Sequence, residues 1–442
     1  MTDRILIGEL GAHKGETVTI NGWVDVRRDQ GKLVFFDFRD RTGFVQGVVL
    51  PGKDAEAETL MAAAKEVRNE YVVQVTGIVN ERPERNAQAD KQNGDIELEI
   101  KGIEVLAKAH ELPFDKDAEL NIDTRFDNRP YTLRSERDRA IFRVQASVTE
   151  AYRHALISRG FLDFQAPALV GGDAEGGSAV FKVEYFEGRT AYLATSPQLY
   201  KQIMVGAFER AFTIAKIFRA EKSATTRHLS ELTQMDFEMG FIKDERDVMR
   251  VLEEVVRDTV EEVYGKHEKD FATVGATKPL LGDAFPVLTL KEVFETLGQP
   301  EEDDLAPEHE RAICEWAAKE KGSDFVFVTR FPTAARAFYT MTAEGELSKG
   351  FDLLFRGLEI NSGAQRIHDY DELVARIEER GMDPEKFSFY LQAFKYGIPP
   401  HGGCSTGLER FTMRLLELEN AKEASAFPRD MHRIDLSLTE TD

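Results

Sequence analysis

Arg219 and Glu221 close one apolar run, and Arg227 and His228 follow in a short polar stretch before Glu231 opens the next run. Two antiparallel strands joined by such a loop would present several donors to a polyphosphate, because a guanidinium binds phosphate oxygens through two parallel bonds. A solvated loop would carry the same charges. A second cluster is Phe351-Asp352-Leu353-Leu354-Phe355-Arg356-Gly357-Leu358-Glu359-Ile360-Asn361-Ser362-Gly363-Ala364-Gln365-Arg366. Read as one strand up to Ile360, it puts Asp352, Leu354, Arg356, Leu358 and Ile360 on one face and Glu359 on the other. Glu359 and Ser362 offer the hard oxygen donors that Mg²⁺ takes together with substrate phosphates. Acids at a buried edge also serve plain ion pairs. The third cluster is His401-Gly402-Gly403-Cys404-Ser405-Thr406-Gly407-Leu408-Glu409-Arg410. Its glycines allow close backbone approach, and it leads into an apolar helix whose start favours anions. A turn before a core helix has the same composition.

The elements around these clusters fall into two groups. Residues 1–105 alternate apolar and polar positions over 17–26, 33–38, 44–50, 71–79 and 96–105, with a helical pattern over 55–68. Short strands with one inserted helix fit an OB-type Greek-key barrel. Residues 106–130 lack periodicity and read as a linker. Residues 131–442 read as a second domain. Its first helix runs from Ser135 to Arg159, burying Ile141, Val144, Val148, Ala151, Tyr152 and Ala155 and stopping at Gly160. Strands are expected over 191–194, 211–218, 234–241, 324–328, 337–341 and 350–360. Helices are expected over 245–264, 371–381, 384–396 and 406–418, and the acidic 300–310 stretch reads as a surface insertion. There is no regular βαβ repeat, no GxGxxG and no Walker A string. The fold class expected is therefore α+β, an antiparallel sheet flanked by helices behind an N-terminal barrel.

A net charge of −22 argues against broad, non-specific nucleic-acid binding, which depends on neutralising phosphates. Acidic and basic residues are mixed between Asp25 and Arg41, so a local RNA-facing patch remains open. No apolar run reaches the roughly 18 residues of a membrane span, and the N-terminus has no signal-peptide pattern. Cys314 and Cys404 are the only cysteines, too few for a disulfide framework or a cysteine metal site. A cytoplasmic enzyme away from membranes is expected.

In order and spacing the three clusters resemble motifs 2 and 3 of the class II aminoacyl-tRNA synthetases. The helix ending near Gly160, with Pro167 beyond it, resembles motif 1, which in the family builds a homodimer interface. Asp123-Thr124-Arg125-Phe126-Asp127-Asn128-Arg129 resembles the junction before that helix. Ser196-Pro197-Gln198-Leu199-Tyr200-Lys201-Gln202 resembles the signature of the aspartyl branch, in its archaeal and eukaryotic-type form. The resemblance covers nearly the whole chain. It implies a class II catalytic domain that forms aspartyl-adenylate from L-aspartate and ATP, then charges tRNA-Asp and, in non-discriminating members, tRNA-Asn.

By the same resemblance, Arg219 would bind the α-phosphate and Arg410 would lie against adenine, the two catalytic assignments. Glu221, Arg227, His228, Leu232, Glu359 and Gly407 would complete the ATP site, with Glu359, Ser362 and Asp352 around Mg²⁺. Aspartate would meet Gln198, Lys201, Gln234, Asp236, Ser362 and Arg366, with Glu175 in a mobile loop over it. Two buried cations, Lys201 and Arg366, suit a side-chain carboxylate and not a neutral amide. In the barrel, Asp25, Arg28, Phe35 and Gln46 would read the anticodon by stacking and base-edge contacts.

Three positions depart from the family pattern. Leu232 stands where many relatives place an adenine-stacking Phe, Ser405 replaces a Gly in motif 3, and Asp25 stands where Trp, His or Asn is common. The rival readings are an asparaginyl-tRNA synthetase, which would lack Lys201, and an asparagine-forming paralogue, which would lack the barrel. A non-catalytic RNA-binding paralogue would have lost Arg219, Glu359 or Arg410.

Overall fold

The computed structural model describes residues 4–88, 92–115, 118–172, 179–222 and 225–436. The chain divides into two compact units, Met1–Ala118 and Glu119–Asp442.

In the first unit the strands Thr17–Asp29, Val34–Arg39, Phe44–Val49, Val72–Glu81 and Ile96–Ala107 close into a five-stranded barrel. Alternation drives closure: Val18, Ile20 and Val24 of the first strand point inward onto Phe36, Phe38, Val73, Val75 and Leu98. The helix Ala55–Glu66 begins at Asp54, whose carboxylate accepts the Ala57 N–H. The register of the first two strands shifts between Val24 and Val26, so Asp25 is the extra residue of a bulge.

In the second unit an eight-stranded sheet carries the core. Its order is Val287–Thr289, Phe325–Thr329, Gly350–Phe355, Leu358–Gln365, His401–Gly407, Glu231–Gly240, Arg210–Phe218 and Leu162–Asp163. The two outermost pairings are parallel and every inner one is antiparallel. The expected α+β architecture of barrel plus antiparallel sheet with helices is thus borne out. The helix Glu136–Ile157, capped by Ser135, buries its expected face against the helix Glu245–Val274 and the sheet. Its terminator Gly160 has φ +80°, the left-handed conformation that glycine adopts without strain.

Several expectations are corrected. The 350–360 run is not one strand but a hairpin, turning at Arg356 (φ +46°) and Gly357 (φ +80°). Residues 401–407 form a central strand and not a turn, and the helix starts only at Leu408. The 337–341 segment makes only an isolated bridge, Thr340 with Arg366. The 106–130 stretch contains the helices Ile122–Asp127 and Arg129–Thr132. The acidic 300–310 stretch is exposed over 301–304, but His309 and Glu310 are buried in the helix Pro307–Lys321.

Candidate active site

Four adjacent strands of the sheet place one residue each in a single row: Asp236, Ser405, Ser362 and Asp352 are successive cross-strand partners. The row exists because the 350–365 cluster folds back as a hairpin, which sets Asp352 directly opposite Ser362. Above it lies a cavity of about 360 Å³, within the range of small-molecule sites. Ser196, Gln198, Arg219, Glu221, Arg227, His228, Leu232, Gln234, Glu359, Ser362, Arg366, Gly407 and Arg410 all line it. Lys201, Asp236 and Asp352 are set into the walls behind, and Glu175 lies outside the described residues.

At one end sits a buried ionic lattice. Lys201 is fully buried on the helix Gln198–Phe208, which excludes a surface role for it. Its Nζ donates to Asp236 Oδ2 at 2.8 Å and to the Cys404 carbonyl at 2.9 Å, and lies 3.5 Å from Glu238 Oε2. Arg366 donates from Nε to Glu238 Oε1 at 2.9 Å and from Nη2 to the Gly403 carbonyl at 2.9 Å and Gln198 Oε1 at 3.3 Å. Each of these two cations thus has a buried carboxylate beside it, Asp236 for Lys201 and Glu238 for Arg366, and Glu238 was not among the expected site residues. Burial pushes Glu238 toward protonation, but Arg366 and Lys201 outweigh it and hold its pKa below the usual carboxylate range. Gly403 makes this fit possible, since a Cβ there would stand 2.2 Å from the Phe237 carbonyl oxygen and 2.3 Å from Glu238 Oε2.

At the other end Asp352, Glu359 and Ser362 gather as expected, joined by Arg336. Its Nη1 and Nη2 donate to Asp352 Oδ1 and Oδ2 at 3.0 and 2.7 Å, and Nη1 reaches Ser362 Oγ at 3.3 Å. Arg336 comes from an irregular segment with no pattern of its own, so only the fold reveals it. Glu359 keeps about a third of its side chain open to the cavity (36%). Enclosure by protein, then the neighbouring Asp352, push its carboxyl up to about 7. Arg410 Nη1 lies 3.8 Å from Glu359 Oε2 and donates to the Glu359 carbonyl at 3.2 Å. Among the described residues no group of three or more His, Cys, Asp or Glu could hold a metal ion. The donor set of two carboxylates and a hydroxyl still fits Mg²⁺, which is held by one or two carboxylates plus substrate phosphates.

Between the two ends lies the cationic loop. Arg219 Nη1 is 3.9 Å from Glu221 Oε1, and Arg227 pairs with Glu310. Burial, then the nearby Arg410, lower the His228 pKa, so its imidazole favours the neutral form. Glu409 accepts the Thr233 N–H with both carboxylate oxygens, at 3.0 and 3.1 Å, beside Leu232.

In the barrel, Arg28 and Phe35 are cross-strand partners, as are Asp37 and Gln46. Phe35 is half-buried on the outer face while Phe36 fills the core. Arg28 grips Asp37 through two bonds of 2.7 and 2.9 Å, and Gln46 donates to Glu97 at 2.7 Å. Asp25 is buried, accepting from Arg39 Nη1 at 3.0 Å, and Arg39 also holds Glu70 at 2.7 Å. Asp25, Arg28 and Gln46 border one surface hollow.

Comparison with known proteins places this geometry. The family model for class II tRNA synthetases (D, K and N) matches residues 121–431, and that for the OB-fold nucleic acid binding domain matches residues 18–106. The chain belongs to the class II tRNA synthetases of the D, K and N group. It is 44% identical to the aspartate–tRNA(Asp/Asn) ligase of Thermus thermophilus over 98% of this chain and 99% of that one. It is 38% identical to the aspartate–tRNA(Asp) ligase of Pyrococcus horikoshii over 95% of this chain and 96% of that one. Among solved structures, asparaginyl-tRNA synthetase from Pyrococcus horikoshii complexed with asparaginyl-adenylate superposes with a TM-score of 0.89 at 31% identity, covering 98% of this chain and all of that one.

Proposed function

We propose that this chain activates L-aspartate with ATP, forming aspartyl-adenylate and diphosphate, and then transfers aspartate to the 3′ end of tRNA-Asp and of tRNA-Asn. The observation that carries the reading is the near full-length match to an aspartate–tRNA(Asp/Asn) ligase. In the first step an aspartate α-carboxylate oxygen attacks the α-phosphorus and diphosphate leaves, so the protein needs to position and neutralise charge and no protein nucleophile is required. We assign Arg219 to the α-phosphate, Arg410 to the adenine ring, and Arg227 with His228 to the outer phosphates. Glu221, Leu232 and Gly407 complete the nucleotide pocket. Mg²⁺, held by Glu359 and Ser362 with Asp352, would neutralise phosphate charge when bound.

For aspartate, the side-chain carboxylate goes to Arg366. Its bonds to Glu238, Gly403 and Gln198 all use Nε and Nη2, which leaves the Nη1 donors for a ligand. Lys201 stands behind, fixing Asp236 and Glu238. Gln198 and Gln234 face the substrate from the wall. In the second step a ribose hydroxyl of the tRNA end attacks the adenylate carbonyl carbon and AMP leaves. Asp25, Arg28, Phe35 and Gln46 are assigned to the anticodon.

We further propose a homodimer, supported by exposed Ile157, Leu162 and Leu169 at and beyond the end of the first long helix. A cytoplasmic site fits two buried, unpaired cysteines and the lack, among the described residues, of any helix long and apolar enough to cross a membrane. ATP–diphosphate exchange with aspartate and with asparagine, followed by aminoacylation of tRNA-Asp and tRNA-Asn transcripts side by side, tests the reading. No aspartate-dependent exchange would sink it, and charging of tRNA-Asp alone would remove the second tRNA.

A further inference from the structure

Asp236 is fully buried and both of its oxygens are engaged, Oδ2 by Lys201 Nζ at 2.8 Å and Oδ1 by Ser405 Oγ at 2.7 Å. Ser405 is its direct cross-strand partner and, unlike Asp236, faces the cavity. A hydroxyl that spends its only proton on a carboxylate keeps its lone pairs for another donor, and the carboxylate polarises it into a stronger acceptor. Two residues before Asp236 on its own strand, and so on the same face of it, Gln234 lines the cavity with its Oε1 buried and without a hydrogen-bond partner. An unmet buried acceptor is costly unless a ligand supplies a donor. Two adjacent acceptors backed by a carboxylate suit an ammonium group.

We infer that Ser405 contacts the substrate directly, accepting a hydrogen bond from the amino group of the bound amino acid and linking it to the buried Asp236. The position that departs from the family pattern thus gains a role in amino-acid binding, and the inference rests on the aspartate-activating reading above. The hydroxyl lies on the cavity side of Asp236, so an amino group approaching that carboxylate meets Ser405 first.

The test compares aspartate with succinate, which has both carboxylates and no amino group, in ATP–diphosphate exchange by Ser405→Ala. The KM for aspartate is expected to rise about tenfold or more, the loss of a hydrogen bond to a charged group, while KM for ATP and inhibition by succinate stay within about twofold. Ser405→Gly, which removes the same hydroxyl and adds no atom, is measured alongside and decides the matter if the alanine variant does not fold. Equal weakening of aspartate and succinate, or an unchanged KM for aspartate, overturns the inference while wild-type exchange stands. Absence of aspartate-dependent exchange in the wild type would remove the functional reading itself, and the inference with it.

Discussion

Arg227 Nη1 lies 3.2 Å from both carboxylate oxygens of Glu310, and Glu310 Oε2 also accepts the Glu359 N–H at 3.4 Å. The helix Pro307–Lys321 therefore holds the cationic loop from the side and braces the strand that carries Glu359. An ATP phosphate reaching Arg227 would share it with Glu310 or displace that carboxylate. Arg227→Ala is expected to raise KM for ATP at least about fivefold, the loss of one charge-assisted bond. Glu310→Gln is expected to shift it less but in the same direction, because the arginine loses the charge that orders it. Exchange assays with ATP varied at saturating aspartate check this, and an equal rise in KM for aspartate would show that the helix acts on the whole domain.

Lys201 gives a second prediction, set by its surroundings. With the ammonium fully buried between Asp236 and Glu238, Lys201→Met leaves the buried Asp236 without a counter-charge and Glu238 with Arg366 alone. Breaking a buried pair in this way costs about 3–5 kcal/mol. Aspartate activation should be lost and Tm should fall with it. A double variant, Lys201→Met with Asp236→Asn, should regain part of the Tm and none of the activity. Recovery of activity in the double variant would show that the pair is not needed to shape the aspartate site.

The contrast between these two sites marks how far the sequence is legible. Alternation over 17–26 and helical spacing from Ile141 to Ala155 reflect burial within one element, so the barrel and the long helix could be read directly. The hairpin at Arg356-Gly357 was missed because strong apolar residues flank it on both sides and hide the turn. That miss put Glu359 on the wrong side of Asp352. Arg336 and Glu310 reach the site only through pairings far apart in the chain, and no local spacing marks them, whereas Glu238 shares the strand face of Gln234 and Asp236 by simple alternation. Asp25 was legible as unusual, but its bulge and its bond to Arg39 depend on Val24 and Val26 shifting register. Ser405 could be seen as a departure, while its purpose depends on lying opposite Asp236.

On the barrel, Phe35 is expected to act by stacking an anticodon base. Phe35→Ala should raise KM for tRNA by about tenfold, the cost of one lost base–aromatic stack, and leave ATP–diphosphate exchange unchanged. Arg28→Ala should do the same while freeing Asp37, whose bare carboxylate would add repulsion toward phosphate. Aminoacylation and exchange assays on the same preparations separate the two steps. A drop in exchange would place the fault in the fold and not in RNA contact.

His401 is expected to contribute to the acid sensitivity of the catalytic domain. It is fully buried at the start of the strand His401–Gly407, its Nδ1 facing the Pro399 carbonyl at 2.9 Å and its Nε2 facing the Gln202 amide nitrogen at 2.9 Å. Those partners assign the neutral tautomer with the proton on Nδ1, donating to Pro399 and leaving Nε2 to accept from Gln202. Gln202 in turn accepts from Gln198 at 3.1 Å and from Tyr390 at 3.1 Å, so the imidazole anchors the helix that carries Lys201. Burial pushes the His401 pKa down to about 4. Unfolded, the ring would titrate near 6.5, so between about pH 6.5 and 4 the unfolded chain binds the extra proton and stability falls as the pH falls. The full span is worth about 3 kcal/mol. Thermal unfolding at about pH 7.5 and about pH 5 should therefore show a drop in Tm that is smaller in His401→Asn, which cannot take up a proton in this window. An equal drop in both proteins would assign the acid sensitivity to other groups.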